Sequence, residues 1–334
     1  MAPLLDVRDL AVSFPGQVVV HGSSFHIGEG ETLALVGESG CGKSVTAFAL
    51  MRLLPPTARI LRGQVLFEGT DLVTATPRQM RDVRGARISL IQQEPMTSLN
   101  PVLTVGAQIA EVIRRHEPVS RVAARRRVEE LLDLVGIPDP HRRMDEFPHN
   151  FSGGMRQRVM IAMAVACQPR LIIADEPTTA LDVTIQAQVL DLLDGLRRRL
   201  GMAVLLITHD LGVVAQWADR TAVMYAGRIV EQTPVRPFFR HPRHPYAKGL
   251  LGAAVNEAGD GEGHGHYTTR RLIEIPGSVA SAAQEPGCPF APRCPEMIQA
   301  CRAAPPPLRS MPDGSEVACI MASCVEVPHG AAVG

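Results

Sequence analysis

Eight residues, Gly37-Glu38-Ser39-Gly40-Cys41-Gly42-Lys43-Ser44, constrain this chain more than any other stretch. They follow Thr32-Leu33-Ala34-Leu35-Val36, a continuous apolar run of the kind buried on both faces of a parallel sheet. A helical stretch follows from about Ser44 to Leu54, where Pro55-Pro56 stops it. The pattern G-x-x-x-x-G-K-[ST] in a strand–loop–helix setting is built for phosphate. Its glycines let successive backbone N–H groups curl around phosphate oxygens without a Cβ in the way, and the helix N-terminus adds the positive end of its dipole. Lys43 would reach the terminal phosphates, the Ser44 hydroxyl would ligate Mg²⁺, and Val45 continues the helix beneath them. A glycine-rich turn capping an ordinary helix is the competing reading, and the flanking strand and helix argue against it.

Such a loop obliges an α/β architecture, and the rest of the chain supplies one. Leu171–Asp175, Val204–Thr208 and Thr221–Tyr225 read as further strands. Arg121–Val135, Gly153–Cys167 and Ile185–Leu200 read as helices, the first with Val122, Val128, Leu131, Leu132 and Val135 on its apolar face. Strands alternating with helices predict a mostly parallel sheet covered on both faces. Leu5–Arg8 and Leu10–Phe14 precede this region as short strands, with turns at Pro15-Gly16 and Gly28–Gly30.

A triphosphate loop needs a carboxylate for its metal at a nearby strand end, and Asp175-Glu176 follows Leu171–Ala174 directly. Side chains alternate along a strand, so the two acids can take different tasks. Asp175 would hold Mg²⁺, directly or through water, and Glu176 would polarise the attacking water as general base. Ser152-Gly153-Gly154 opens a helix. Ser152 reads first as an N-cap, and the two glycines leave a helix terminus that an anion can approach closely. One Lys-bearing loop and a second phosphate-competent helix end suggest that the second end serves the nucleotide of a neighbouring subunit. His209 follows the strand Val204–Thr208. Alone it would read as an exposed histidine, but here it marks a third strand end on the same crevice.

Taken together and in this order, Gly37–Ser44, Gln93, Ser152-Gly153-Gly154, Asp175-Glu176, Leu181-Asp182 and His209 resemble the ABC-type ATPases over about residues 5–325. The resemblance implies a P-loop ATPase core with a mostly parallel sheet, an N-terminal antiparallel β subdomain and an inserted helical subdomain at about 96–168. It assigns Phe14 to stacking on adenine, Gln93 to sensing Mg²⁺ and coupling to a membrane partner, Asp182 to a loop communicating across a dimer, and His209 to the γ-phosphate. Glu176 is present, so this copy is expected to hydrolyse ATP.

Gln93–Pro101, the Gly154-Met155-Arg156-Gln157-Arg158 helix start, His241-Pro242-Arg243-His244-Pro245-Tyr246 and the cysteine tail further resemble the ATPase subunits of oligopeptide and dipeptide importers. That similarity implies an ATPase peripheral to the cytoplasmic face of the inner membrane, docked on two transmembrane permease subunits through the region after Gln93. It implies pairing with an identical or sibling ATPase, and indirect service to an extracytoplasmic substrate-binding protein. Related importers carry nickel, glutathione or other peptide-like cargo.

Composition supports this by exclusion. The 34 basic and 34 acidic residues balance, so no global field draws the chain to nucleic acid, and a soluble nucleic-acid ATPase is the weaker alternative. Aromatics at 4% leave few rings for stacking single strands. The longest apolar run, Val159–Cys167, is about half of the roughly 18 residues needed to span a bilayer, and Met1–Asp6 lacks the pattern of a secretory signal.

After the ATPase core (1–233), the composition shifts toward proline at Pro237, Pro242 and Pro245. Glu257–His266 reads as a Gly-rich linker whose His264 and His266 are ordinary loop histidines. The extension (234–334) is expected to be irregular. It carries Cys288, Cys294, Cys301 and Cys319 at C-x5-C-x6-C-x17-C, with Cys324 spare. Four such thiolates could hold zinc or an iron–sulfur cluster, or remain free thiols. The family resemblance implies a [4Fe–4S] cluster.

Overall fold

The computed structural model describes residues 2–93, 98–179, 181–257, 275, 277–279 and 285–322. The 258–266 part of the expected linker, Glu94–Thr97, Ala180 and Cys324 lie outside the described residues.

Two sheets form the body. In the first, β1 (Leu5–Phe14), β2 (Gln17–Ile27), β4 (Arg59–Phe67) and β5 (Thr70–Asp71) pair antiparallel in the order β2-β1-β4-β5. The two short N-terminal strands expected from sequence are one strand, because the chain passes Asp9 in a left-handed conformation (φ 48°) and pairing resumes beyond the irregularity. The second sheet runs β11-β12-β10-β9-β3-β8-β7-β6. Its strands are β3 (Thr32–Val36), β6 (Ile88–Ile91), β7 (Leu171–Asp175), β8 (Ala203–Thr208), β9 (Arg220–Tyr225), β10 (Arg228–Pro234), β11 (Arg309–Ser310) and β12 (Glu316–Val317). From β9 to β6 the pairing is parallel, and every residue of β3, β7 and β8 is buried, which accounts for their unbroken apolar runs.

Helix α1 (Lys43–Leu50) leaves the loop after β3. It ends before the expected Leu54 because Arg52 adopts φ 50°, closing the helix ahead of the prolines. Helix α2 (Pro77–Val83) is held by a capping box between Thr76 and Gln79. Helices α3 (Val105–His116), α4 (Arg121–Leu134) and α5 (Gly153–Val165) pack through Ile109, Ile113, Val128, Leu132 and Val159. Val122, counted with the apolar face of α4, is 81% exposed. Sequence reading gave no helix over Val105–His116, although Thr104 caps it through the Ala107 N–H. Helices α6 (Val183–Leu200) and α7 (Leu211–Trp217) connect the later parallel strands.

The chain beyond β10 forms α8 (Val235–Arg240), α9 (Pro245–Glu257), short 3₁₀ turns and the pair β11–β12. Regular structure there is sparse, as expected. It nevertheless adds two strands to the main sheet, with Glu231 opposite Val317 and Gln232 opposite Glu316.

Candidate active site

Four neighbouring parallel strands end on one edge of the sheet, and each delivers a residue predicted from sequence. β3 runs into the Gly37–Ser44 loop, β8 into His209, β7 into Asp175-Glu176, and β6 leads to Gln93. A crevice beyond the carboxyl ends of parallel strands is where α/β sheets take ligands.

The loop itself is tightly packed. Gly37 has φ 155°, and a Cβ there would lie 2.2 Å from the Met224 carbonyl oxygen; Gly42 has φ 105°. Neither position accepts a side chain. Lys43 is only 6% exposed, and its ammonium donates to the carbonyls of Gly37 (2.7 Å) and Glu38 (3.0 Å). Cys41 is buried with its Sγ 3.9 Å from Lys43 Nζ, and burial pushes its thiol pKa up. Ser39 and Gly40 face a cavity of about 850 Å³ that Gln17, Val18 and Val19 line from the other side. Phe14 sits next to that rim, partly buried at the end of β1 and paired with Gln17.

Asp175 is 4% exposed, and its Oδ1 has no hydrogen-bond partner among the described residues. Burial pushes its pKa up, while the neighbouring Ser44 hydroxyl and Lys43 ammonium oppose that shift. A buried carboxylate oxygen without a partner, beside a serine hydroxyl and a lysine, suits a divalent cation such as Mg²⁺, which binds through one or two carboxylates and keeps waters and phosphates.

Glu176 turns out of the sheet in a left-handed conformation (φ 47°), pinned by its N–H to the Ile207 carbonyl at 2.9 Å. Non-glycine residues hold this geometry at a cost, and such strain concentrates at functional positions. Its carboxylate accepts from Gln93 Nε2 (3.0 Å) and the Thr179 hydroxyl (2.9 Å), and lies 3.2 Å from His209 Nδ1. Gln93 and His209 therefore converge on Glu176, while Gln92 accepts from Ser98.

Ser152 caps α5 through the Met155 N–H, and Asp182 caps α6 through the Ile185 N–H. These two positions meet through the helices they start. A Cβ on Gly153 would lie 3.6 Å from Leu181, and one on Gly154 only 2.7 Å from Ile185 Cγ2. Within this one chain, the hydroxyl of Ser152 serves its own helix and does not reach Lys43.

One loop residue behaves differently from the sequence reading. Glu38 was expected to help cradle phosphate, yet its N–H donates to the Tyr246 hydroxyl at 2.9 Å. Its carboxylate takes both arms of the Arg293 guanidinium at 2.9 and 3.0 Å. Tyr246 and Arg293 lie in stretches that carry the importer resemblance, but no role at the loop was read for them, because that signal lies in contacts more than 200 residues apart.

The expected cluster ligands converge only in part. Cys288, Cys294, Cys301 and Cys319 line one cavity, but it holds about 10 Å³, the space of roughly one water-sized sphere. Among the described residues, no three His, Cys, Asp or Glu side chains are placed to hold a metal ion. Burial pushes the thiols of Cys288, Cys294 and Cys319 up, Cys294 to about 11. As placed, this set does not fit a four-iron cluster.

Comparisons with known proteins agree with these features. A family model described as "ABC transporter" matches residues 20–179, and one described as "Oligopeptide/dipeptide transporter, C-terminal region" matches residues 230–301. The probable peptide ABC transporter ATP-binding protein y4tR of Sinorhizobium fredii is 53% identical over 95% of this chain and 94% of that protein. The oligopeptide transport ATP-binding protein OppD of Bacillus subtilis is 54% identical over 85% of this chain and 78% of its own. The dipeptide transport ATP-binding protein DppD of the same organism is 51% identical over 90% and 89%. Among solved structures, cbiO1 of Clostridium perfringens, part of the ABC transporter complex cbiONQ, matches with a TM-score of 0.64 and 25% identity over 72% of this chain and 92% of that one.

Proposed function

The chain belongs to the ATP-binding proteins of ABC transporters of the oligopeptide/dipeptide type, and from that premise we propose that it hydrolyses ATP to energise import of short peptides through a membrane permease. The observation that carries the mechanism is the convergence of Lys43, Asp175, Glu176, Gln93 and His209 at neighbouring strand ends. The names of the peptide-transport relatives support the cargo class.

In this reading the amides of the Gly37–Ser44 loop and the Lys43 ammonium bind the β- and γ-phosphates, and Phe14 packs on the adenine. Ser44 and Asp175 hold Mg²⁺, which when bound neutralises charge between the phosphates, with Gln93 beside them. Glu176 takes the proton of the attacking water. Gln93 and Thr179 orient its carboxylate, and His209 is positioned to meet the γ-phosphate while contacting the same carboxylate. Ser152-Gly153-Gly154 of a second ATPase subunit, identical or sibling, completes the site, and Asp182 lies where the two would communicate. Closing on ATP and reopening after hydrolysis would then drive the permease.

The division into an engine (1–233) and an extension (234–334) is part of the proposal. So are docking on two permease subunits through the region after Gln93 and a peripheral position at the cytoplasmic face of the inner membrane. A groove of about 620 Å³ lined by Glu111, Arg114, Arg115 and Arg121 supports the docking assignment. No helix among the described residues is long and apolar enough to cross a membrane, so the reading takes its pore from partners. The iron–sulfur cluster rests on family resemblance alone and has no part in this mechanism.

The test is Glu176→Gln in the transporter assembled in membrane vesicles. Mg-ATP should still bind while hydrolysis and peptide uptake are lost. Wild-type hydrolysis by the variant refutes the base assignment, and uptake that is indifferent to ATP refutes the transport reading.

A further inference from the structure

Among the described residues, hydrogen bonds from the extension reach the phosphate loop at Glu38 and leave none of its polar groups free. Glu38 donates its N–H to Tyr246, its carbonyl accepts from the Lys43 ammonium and the Cys41 N–H, and its carboxylate is forked by Arg293. Two of these four partners lie beyond residue 233. Both are deeply buried: Tyr246 is fully buried and the Arg293 side chain is 4% exposed. Burying a guanidinium is costly unless it is paired and hydrogen-bonded, and here the pairing falls on a loop residue.

Arg293 is itself fixed from several sides. One nitrogen also donates to the Ile275 carbonyl at 2.9 Å, and its guanidinium lies over the Tyr225 ring at 5.7 Å. Tyr225 ends β9, beside the loop-bearing β3. It packs against Tyr246 (centroids 4.6 Å apart) and Phe290 (5.2 Å) in a chain where aromatics are only 4% of residues. The ring cluster thus joins the main sheet to the extension directly behind Glu38.

A phosphate loop works by holding its backbone N–H groups in one arrangement before the ligand arrives, and freedom at any residue is entropy lost on binding. We propose that Arg293 and Tyr246 are positioning residues that clamp Glu38 and so preorganise the phosphate loop for nucleotide, making the extension a working part of the ATP site. This rests on the nucleotide reading above. The clamp acts on affinity, since neither residue is placed to touch the reacting atoms.

The experiment measures Mg-ATP affinity, saturated turnover and melting temperature for full-length R293M, R293K, E38Q, R293M/E38Q and Y246F, with R243M as control. Arg243 pairs with Asp313 within the extension, and neither bonds to the phosphate loop, so R243M loosens the extension without touching the loop. R293M should raise the Kd for Mg-ATP roughly tenfold, the size of a lost charge-assisted bond, with saturated turnover unchanged, and E38Q, inside the loop itself, should raise the Kd by a similar factor. The double variant should be no worse than either single one, R293K should recover part of the loss, and Y246F should cost about threefold. R243M should lower the melting temperature and leave the Kd unchanged.

Wild-type affinity in folded R293M and Y246F overturns the clamp. So does an R243M loss as large as that of R293M, because loosening of the extension alone would then explain it. If R293M does not fold, Y246F decides, since it removes one hydrogen bond and keeps the ring. A wild-type chain with no affinity for Mg-ATP refutes the nucleotide reading itself, whereas wild-type binding with unmoved variants refutes only the clamp.

Discussion

Replacing Glu231 by Gln should expose a hidden pH dependence in how the extension is held. Glu231 lies on β10 at 1% exposure, and its carboxylate accepts the N–H of His244 at 2.7 Å and that of Arg243 at 3.1 Å. Burial pushes its pKa from 4.5 up to about 7, against the pull of those two N–H groups and the Arg243 charge, while Asp313 adds to the rise. The folded protein therefore keeps a proton that the unfolded chain releases near 4.5. This group's contribution to stability is complete below pH 4.5 and is lost as pH rises through 7. His244, also 1% exposed, runs the other way. Burial holds its pKa down from 6.5 to about 3, helped by Lys248, so folding loses stability as pH falls below 6.5.

Each titration moves stability by about 1.4 kcal/mol per pH unit, and between 6.5 and 4.5 the two slopes have opposite signs and cancel. In Glu231→Gln only the His244 slope remains. Relative to wild type, the variant should lose about 3 kcal/mol on going from pH 6.5 to 4.5. Urea unfolding of both proteins at pH 4.5, 5.5, 6.5 and 7.5 gives this difference, and carboxylates common to both drop out. A wild-type-minus-variant difference that stays constant across that interval would refute the reasoning.

Lys43→Ala should remove Mg-ATP binding and hydrolysis together, as equilibrium binding and phosphate release would show; retention of either excludes Lys43 from the phosphates. Gly154→Ala places a Cβ 2.7 Å from Ile185 Cγ2 and should destabilise the α5–α6 contact by about 1–2 kcal/mol. Shortening the neighbour with Ile185→Ala should restore part of that loss, and a melting temperature unmoved by Gly154→Ala would show that the helices are not locked there. Iron, sulfide and zinc analysis of anaerobically purified protein decides the cysteine cavity. Stoichiometric iron and sulfide would require that cavity to open well beyond its present size, and their absence would end the cluster assignment.

The nucleotide edge was legible in the sequence because its signals are local. A glycine-rich loop must follow a buried strand, Asp175-Glu176 must end one, and Ser152 and Asp182 announce the helices they cap. Periodicity also found β3, β7 and β8, whose complete burial leaves no polar face to blur them. Val105–His116 went unread although Val105, Ile109, Val112 and Ile113 recur at helical spacing behind the Thr104 cap, so its signal was also local. The convergence of Gln93, Glu176 and His209 was expected from family resemblance. The left-handed backbone at Glu176, which no residue type signals, makes it geometrically possible.

What sequence could not show is the joining of the two halves of the chain. The motifs that hold Tyr246 and Arg293 say nothing of the phosphate loop, and a proline-rich tail with weak periodicity invites a separate, cysteine-centred interpretation. The packing argues otherwise. A deeply buried guanidinium must be matched by a carboxylate, and the carboxylate that matches it belongs to the second residue of the phosphate loop. The aromatic rings that bury this pair come from both β9 and the extension, so neither half can present the pair alone. A tail held there by its own strand pair on β10 cannot leave without stripping Glu38 of two of its four partners, the two that hold its N–H and its carboxylate. Removing the extension should therefore weaken nucleotide binding even though every residue of the phosphate motif remains.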